Sequence, residues 1–308
     1  MIYGVDIGGT KIELAIFDAQ YRQQTAWREA TPKQDYQEFL QRIVNMVDEA
    51  DQKTGVPGSI GIGLPCVFDD QGYALAASIP CINGRPVLSD ISEALSRPVS
   101  FQNDVKAFVF SEANGGAAEG HRHVLGVVLG TGVGGGLCVG GKIYQSRQNV
   151  ACEYGHVPLS AKLQNRYNLP LWPCGCGLEG CFNEYISGHG LQRMCGHFGG
   201  HYKNAQDLMV GVRAGDTKAN EIFNAYVDCL GAFVSMLTLM YDPDMIVLGG
   251  GLSNIDEIYQ RLPDAAAEYL FSGVIPPPVV PPMYGDSSGV RGVAMLGYQA
   301  VLEANADE

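Results

Sequence analysis

Tyr3-Gly4-Val5-Asp6-Ile7-Gly8-Gly9-Thr10-Lys11-Ile12-Glu13-Leu14-Ala15-Ile16-Phe17 stands almost at the start of the chain. The residues after the glycines decide how it reads. Ile12, Leu14 and Ile16 share one face at the period of a strand. A dinucleotide-binding or Walker loop leads into a helix instead, and neither G-x-G-x-x-G nor G-x-x-x-x-G-K-[ST] is present. The stretch is therefore strand, glycine turn, strand. Backbone N–H groups in such a turn can hold phosphate as a nest, and they equally make an ordinary hairpin. Asp6, a carboxylate at the strand end, is placed to hold Mg2+ through water.

The same pattern returns later. His123–Leu129 reads as a strand, Gly130-Thr131-Gly132-Val133-Gly134-Gly135-Gly136 as a turn, and Leu137-Cys138-Val139 as the returning strand. Five of those seven turn residues are glycine. Such a density costs conformational entropy unless the backbone must approach something closely. Two hairpins of this kind suggest two related lobes, each offering phosphate-binding amides. A third glycine turn, Gly249-Gly250-Gly251, follows a strand at Met245–Leu248 and leads into a helix, where a ribose or phosphate can bind.

The other elements follow from periodicity and turn residues. Helices are expected at Tyr36–Asp51, from Asn103-Asp104 to about Asn114, at Glu184–Phe198, Thr217–Tyr241 and Val290–Leu302. Strands are expected at Ser59–Pro65, Gly72–Pro80 and Val99–Gln102, with an extended edge segment at Ile275–Pro282. The chain is α/β. Taken alone, Asn103-Asp104 at a strand-to-helix junction reads as a helix cap.

Cys174-Gly-Cys176, followed by Cys181 and preceded by His156, supplies three thiols and one imidazole. That donor set holds zinc tetrahedrally and leaves no open position, which would make the metal structural; the plain alternative is a few reduced thiols in a glycine-rich loop. Gly175, Gly177 and Gly180 let the backbone turn tightly enough for one ion to reach all three sulfurs.

Of 308 residues, 46% are hydrophobic and 17% charged, a globular composition. The net charge of −13, with no Lys/Arg cluster, argues against a nucleic-acid partner. No leader is legible before Asp6, and the longest apolar run, Val227–Met240, is broken by Asp228 and reads as too short for a bilayer. No membrane partner is expected. Nine cysteines, an odd number in a leaderless chain, point to a reducing cytoplasm. The six outside the cluster read as small apolar core residues.

Taken together, Asp6-Ile-Gly-Gly-Thr-Lys11, Gly61-Ile-Gly-Leu-Pro65, Asn103-Asp104, Leu129-Gly-Thr-Gly-Val-Gly-Gly-Gly136, Glu153-Tyr-Gly-His156, Cys174–Cys181 and Val247–Ser253 occur in an order that resembles the ROK sugar kinases. These belong to the actin-like ATPase superfamily. The wording around Asp6, Gly130 and Cys174 is closest to the bacterial N-acetyl-D-glucosamine kinases within that family. The resemblance implies a two-lobed actin-like ATPase (ribonuclease H-like) fold with ATP in the interlobe cleft. The lobes would be residues 1–115 with 290–308, and 116–289. It implies phosphorylation of N-acetyl-D-glucosamine at its 6-hydroxyl, with Asp104 as general base ionised by its helix start. Glucokinase and fructokinase activity are the alternatives within the family.

By the same resemblance Asn103, Glu153, His156 and Pro65 contact sugar. His156 would use one ring nitrogen on zinc and the other on sugar. Gly4–Lys11 and Gly130–Val139 are the nucleotide loops. Mg2+ comes with the nucleotide, and a homodimer is a possible assembly. A sugar-responsive repressor of the family would need an N-terminal helix-turn-helix, for which Asp6 leaves no room. The family usually has Glu two residues after the last cysteine. Here Asn183 stands there and Glu184 follows, so either Asn183 makes a neutral contact or Glu184 serves. Cys66 likewise replaces a glycine.

Overall fold

A computed structural model describes residues 1–76, 78–147 and 150–306. Position 77 of the expected strand Gly72–Pro80, and positions 307–308 of the first expected lobe, lie outside the described residues. The chain divides into two compact units, Met1–Ser111 with Ser287–Glu308, and Glu112–Asp286. The sequence reading put the divisions a few residues later.

In the first unit, β1 (Ile2–Ile7) and β2 (Lys11–Phe17) pair antiparallel with Ile7 opposite Ile12, which confines the turn to Gly8–Thr10. β3 (Gln23–Ala30) adds an outer strand that the periodicity did not reveal. Its sequence is polar on both faces and mostly exposed, so it carries no alternating signal. α1 (Tyr36–Thr54) starts where Asp35 accepts the Glu38 N–H, and ends on left-handed Gly55. It buries Phe39, Ile43, Met46, Val47 and Ala50. β4 (Ser59–Leu64) pairs parallel with β1.

The expected strand Gly72–Pro80 shrinks to a short hairpin of β5 (Val67–Phe68) and β6 (Ala74–Leu75). α2 (Val87–Leu95) follows the Asn83–Pro86 turn and was not foreseen. β7 (Val99–Asn103) and α3 (Asp104–Ala113) complete the sheet order β3-β2-β1-β4-β7. The C-terminal helix, Ser288–Ala306, lies so close to the sheet that glycine is required under it. A Cβ on Gly4 would stand 2.1 Å from Val290 O, and one on Gly61 1.7 Å from Val293 O.

In the second unit, β8 (His123–Leu129), β9 (Val133–Val139) and β10 (Lys142–Ile143) form an antiparallel meander. α4 (Ala161–Tyr167) is capped by Ser160. The expected helix Glu184–Phe198 is two helices. α5 (Asn183–Ile186) stops at Ser187, whose extended ψ of 171° breaks the path and whose hydroxyl caps α6 (Gly188–His197) through Gly190 N–H. α7 (Ala205–Arg213), capped by Asn204, was not foreseen.

α8 (Thr217–Tyr241) is the core helix of this unit. It is the one helix among the described residues long and apolar enough to cross a membrane, which corrects the reading of its apolar run as too short. Of its most apolar window, 83% is buried inside the protein. Asp228, which interrupts that run, accepts Tyr167 and Tyr269 hydroxyls at 2.7 Å each and Arg166 at 2.9 Å. β11 (Met245–Gly249), α9 (Asp256–Ala267) and β12 (Val279–Val280) finish a sheet ordered β10-β9-β8-β11-β12. Both sheets thus combine an antiparallel meander with two parallel strands.

The glycine-rich stretch Gly130–Gly136 is only partly a turn. Val133–Gly136 belong to β9. A Cβ on Gly135 would stand 2.2 Å from Cys152 O and from the Tyr154 ring, and one on Gly155 2.7 Å from Val133 O. The close approach is made by the protein's own helical turn, Tyr154–His156.

Candidate functional site

In the first unit the site forms where β1, β4 and β7 end. Asp6 lies between two glycines. A Cβ on Gly63 would be 3.1 Å from Asp6 Oδ1, and one on Gly289 3.5 Å from Oδ2. Burial pushes the Asp6 carboxyl up to about 7, and the negative charges of Asp104 and Glu13 add to the shift, against the weaker pull of Lys11 and Arg28. A single carboxylate oxygen at a strand end is the kind of ligand through which Mg2+, keeping several of its waters, would bind. Gly8 N–H is already used by Lys11 O at 2.9 Å, so the turn's amides left outside that bond are those of Gly9 and Thr10.

Asn103 and Asp104 divide the work that the sequence left joined. Asn103 Oδ1 accepts the N–H groups of Val105 at 3.1 Å and Lys106 at 3.2 Å, which makes it the cap of α3. Asp104 also accepts from Val105, at 3.0 Å. That bond lowers its pKa, yet burial wins and the carboxyl is raised. Burial and the helix-start bond thus act on this carboxyl in opposite directions, and burial is the larger of the two. Cys66, in the family's glycine position, is buried beside Asp104, and burial first and then that charge push its thiol up to about 12. Pro65 directly follows β4 and is half-buried.

In the second unit, the ligand atoms of His156, Cys174, Cys176 and Cys181 lie within 4.8 Å of one another. Tetrahedral zinc, with Zn–S of ~2.3 Å and Zn–N of ~2.0 Å, needs S···S edges of about 3.8 Å and S···N edges of about 3.5 Å. Cys176 Sγ stands 3.7 Å from Cys181 Sγ, and Cys174 Sγ 3.5 Å from His156 Nδ1. The residues fit the metal. With Nδ1 turned to the cluster, Nε2 is left for another partner. The other six cysteines are free thiols, five buried and Cys81 half-buried.

Cys152 takes a φ of 78°, a left-handed conformation that is costly for a residue with a Cβ, and it directly precedes the exposed Glu153. Strain of this kind gathers at functional positions, and no sequence signal marks it. The second glycine turn closes by Gly130 N–H to Gly132 O at 2.9 Å. None of its bonds uses the N–H of Thr131 or Gly132. Gly250, at φ 79°, lies against it, since a Cβ there would be 2.6 Å from Leu129 C and 2.9 Å from Gly130 N. Gly251 begins a short helical turn before α9.

Most residues of the expected nucleotide loops lie inside strands. Gly4, Val5 and Ile7 are buried inside β1. Gly134, Gly135, Gly136, Leu137, Cys138 and Val139 are paired inside β9, with Cys138 fully buried. Gly134–Leu137 face a partner strand on the β8 side only, so alternate N–H groups there point away from it, whereas Cys138 and Val139 also face β10. Asn183 and Glu184 are also committed: Asn183 Oδ1 accepts from Val133 N–H at 2.8 Å, and Glu184 pairs with Arg193.

The sequence profile of the ROK family matches residues 2–300. The chain belongs to the ROK family. It is 45% identical over 298 residues to the N-acetylgalactosamine kinase AgaK of Shewanella sp. (strain ANA-3), covering 97% of each chain. It is 40% identical over 299 residues to an N-acetyl-D-glucosamine kinase of Yersinia pseudotuberculosis serotype IB, covering 96% of this chain and 98% of the relative. The crystal structure of a ROK hexokinase from Thermus thermophilus superposes with a TM-score of 0.84 at 30% identity, over 98% of this chain and 99% of that one. The fold is the actin-like ATPase type of the ROK sugar kinases. In this ROK sugar kinase Cys66 and Asn183 stand where the sequence reading expected glycine and glutamate. The structure gives both residues neighbours inside their own unit.

Proposed function

We propose that the protein transfers the terminal phosphoryl group of ATP to the 6-hydroxyl of N-acetyl-D-glucosamine, giving N-acetylglucosamine 6-phosphate and ADP. N-acetylgalactosamine is the second reading, favoured by the 45% identity to a kinase of that sugar. What carries the proposal is full-length similarity to two N-acetylhexosamine kinases.

Phosphoryl transfer runs through a loose transition state, so the protein mainly positions groups and balances charge. Asp104 takes the proton of the attacking hydroxyl. Its raised pKa makes it a stronger base than an ordinary carboxylate. Asn103, Pro65, Glu153 and His156 hold the sugar. The Gly9–Thr10 and Thr131–Gly132 amides meet phosphate oxygens, and Gly250 and Gly251 border the nucleotide. Asp6 would hold Mg2+, whose chemistry is to offset phosphate charge. His156, Cys174, Cys176 and Cys181 would hold Zn2+, which ties the loop of Glu153 to the segment beginning at Asn183.

A coupled ADP-release assay over N-acetylglucosamine, N-acetylgalactosamine, N-acetylmannosamine, glucose, fructose and mannose tests the reading. One of the first two should exceed glucose by about tenfold or more in kcat/KM, as expected when a site hydrogen-bonds a group that its competitor lacks. Equal turnover of glucose would count against an N-acetylhexosamine kinase. No ADP release with any sugar would count against a kinase altogether.

A further inference from the structure

The segment after the last cluster thiol is hydrogen-bonded to both ends of the second glycine turn. Asn183 Oδ1 accepts Val133 N–H at 2.8 Å, and Gly188 N–H donates to Gly130 O at 2.7 Å. The approach is tight: a Cβ on Gly132 would stand 3.1 Å from Asn183 Oδ1, and one on Gly188 3.0 Å from Gly130 O. Asn183 is itself held in place. Its Nδ2 donates to Glu184 Oε1 at 2.8 Å, and Glu184 Oε2 pairs with Arg193. Arg193 in turn donates to the carbonyl of Pro173, the neighbour of Cys174, at 3.4 Å. Glu184 is only 4% exposed, so its carboxylate is committed to this relay. An amide accepts from Val133 and donates to Glu184 at once, whereas an ionised carboxylate can only accept.

We infer that Asn183 is a positioning residue for the nucleotide, acting through the Gly130–Val133 turn, and not a sugar ligand. It holds the turn so that the Thr131 and Gly132 N–H groups meet phosphate. Its own orientation is set through Glu184 and Arg193 by the cluster-bearing loop. This rests on the kinase reading above.

Isothermal titration of the full chain with Mg2+–ADP, and separately with whichever N-acetylhexosamine the wild type phosphorylates, tests the inference. Asn183→Ala should weaken ADP binding about tenfold and change sugar binding by less than about twofold, since the hydrogen bond it loses to Val133 N–H belongs to the turn. Asn183→Asp should act in the same direction, because its carboxylate would face Glu184. Arg193→Gln, which leaves the turn itself untouched, should show a smaller defect with the same selectivity for ADP. If Asn183→Ala fails to fold, Arg193→Gln decides alone. An unchanged ADP affinity, or a sugar defect as large as the ADP defect, overturns the inference. Failure of the kinase reading is seen separately, in a wild type that releases no ADP with any sugar.

Discussion

Replacing Asp6 by Asn should stabilise the protein while disabling it. The Asp6 carboxyl moves from 3.8 to about 7 in the fold, for burial first and the charges of Asp104 and Glu13 second. A raised carboxyl is favoured in its protonated form. Its ionisation therefore opposes folding, an effect absent below the unfolded pKa and complete above the folded one. A shift of about three pH units, at ~1.36 kcal/mol each, is a cost on the order of 4 kcal/mol above pH 7. Asp6 keeps some contact with solvent, so about half of that, ~2 kcal/mol, is the expected gain for Asp6→Asn at pH 8. In magnesium-free buffer this raises Tm by a few degrees. The gap should close as pH falls from 7 toward 3.8, and it should be smaller when Asp104→Asn is also present, since one repelling charge is gone. Melting curves of the four proteins at pH 5 and pH 8 measure it. A variant no more stable than wild type at pH 8, or a gap that widens in acid, would refute the electrostatic account of Asp6.

Asp104→Asn should keep sugar affinity and lose about 10²–10⁴-fold in kcat, the usual worth of a positioned base; titration and steady-state rates together check this, and near wild-type turnover would reject the role. Cys176→Ser should lower bound zinc, read by elemental analysis of folded protein, because the serine oxygen is a poor replacement for a thiolate; a full equivalent retained would remove Cys176 from the ligand set. Metal affinity should also fall in acid. Burial raises the Cys174 thiol, and it raises Cys181 to about 12, so both must give up protons to a metal. Gly135→Ala should cost about 3 kcal/mol or more, since its methyl would overlap Cys152 O and the Tyr154 ring; chemical denaturation measures the loss, and a neutral result would mean that the Tyr154–His156 turn yields easily.

Glycine density shows how far residue type alone carries. Seen in sequence, the run Gly130–Gly136 says that something approaches the backbone closely, and phosphate was the candidate. In the fold the run splits. Gly130 and Gly132 shape the turn, while Gly135 admits the protein's own Tyr154. Gly4 and Gly61 admit the C-terminal helix in the same way. A missing Cβ announces that something comes near, but not what comes. β3 was invisible for the opposite reason: an exposed outer strand needs no alternation. α4 and α7 are short, and the Ser160 and Asn204 caps carry more information than their apolar spacing.

The order of motifs, the two strand–turn–strand hairpins, the family and the donor set of the cluster were all settled by the chain's wording, because they depend on residue identity and short-range spacing. Tertiary structure decided which groups remain available. It made Asn103 the cap, left Asp104 desolvated with its carboxyl raised, and committed Asn183 and Glu184 to a relay inside the unit. The reason is the same each time: ionisation and hydrogen-bond availability depend on what surrounds a side chain in space, and those neighbours come from residues far away along the chain.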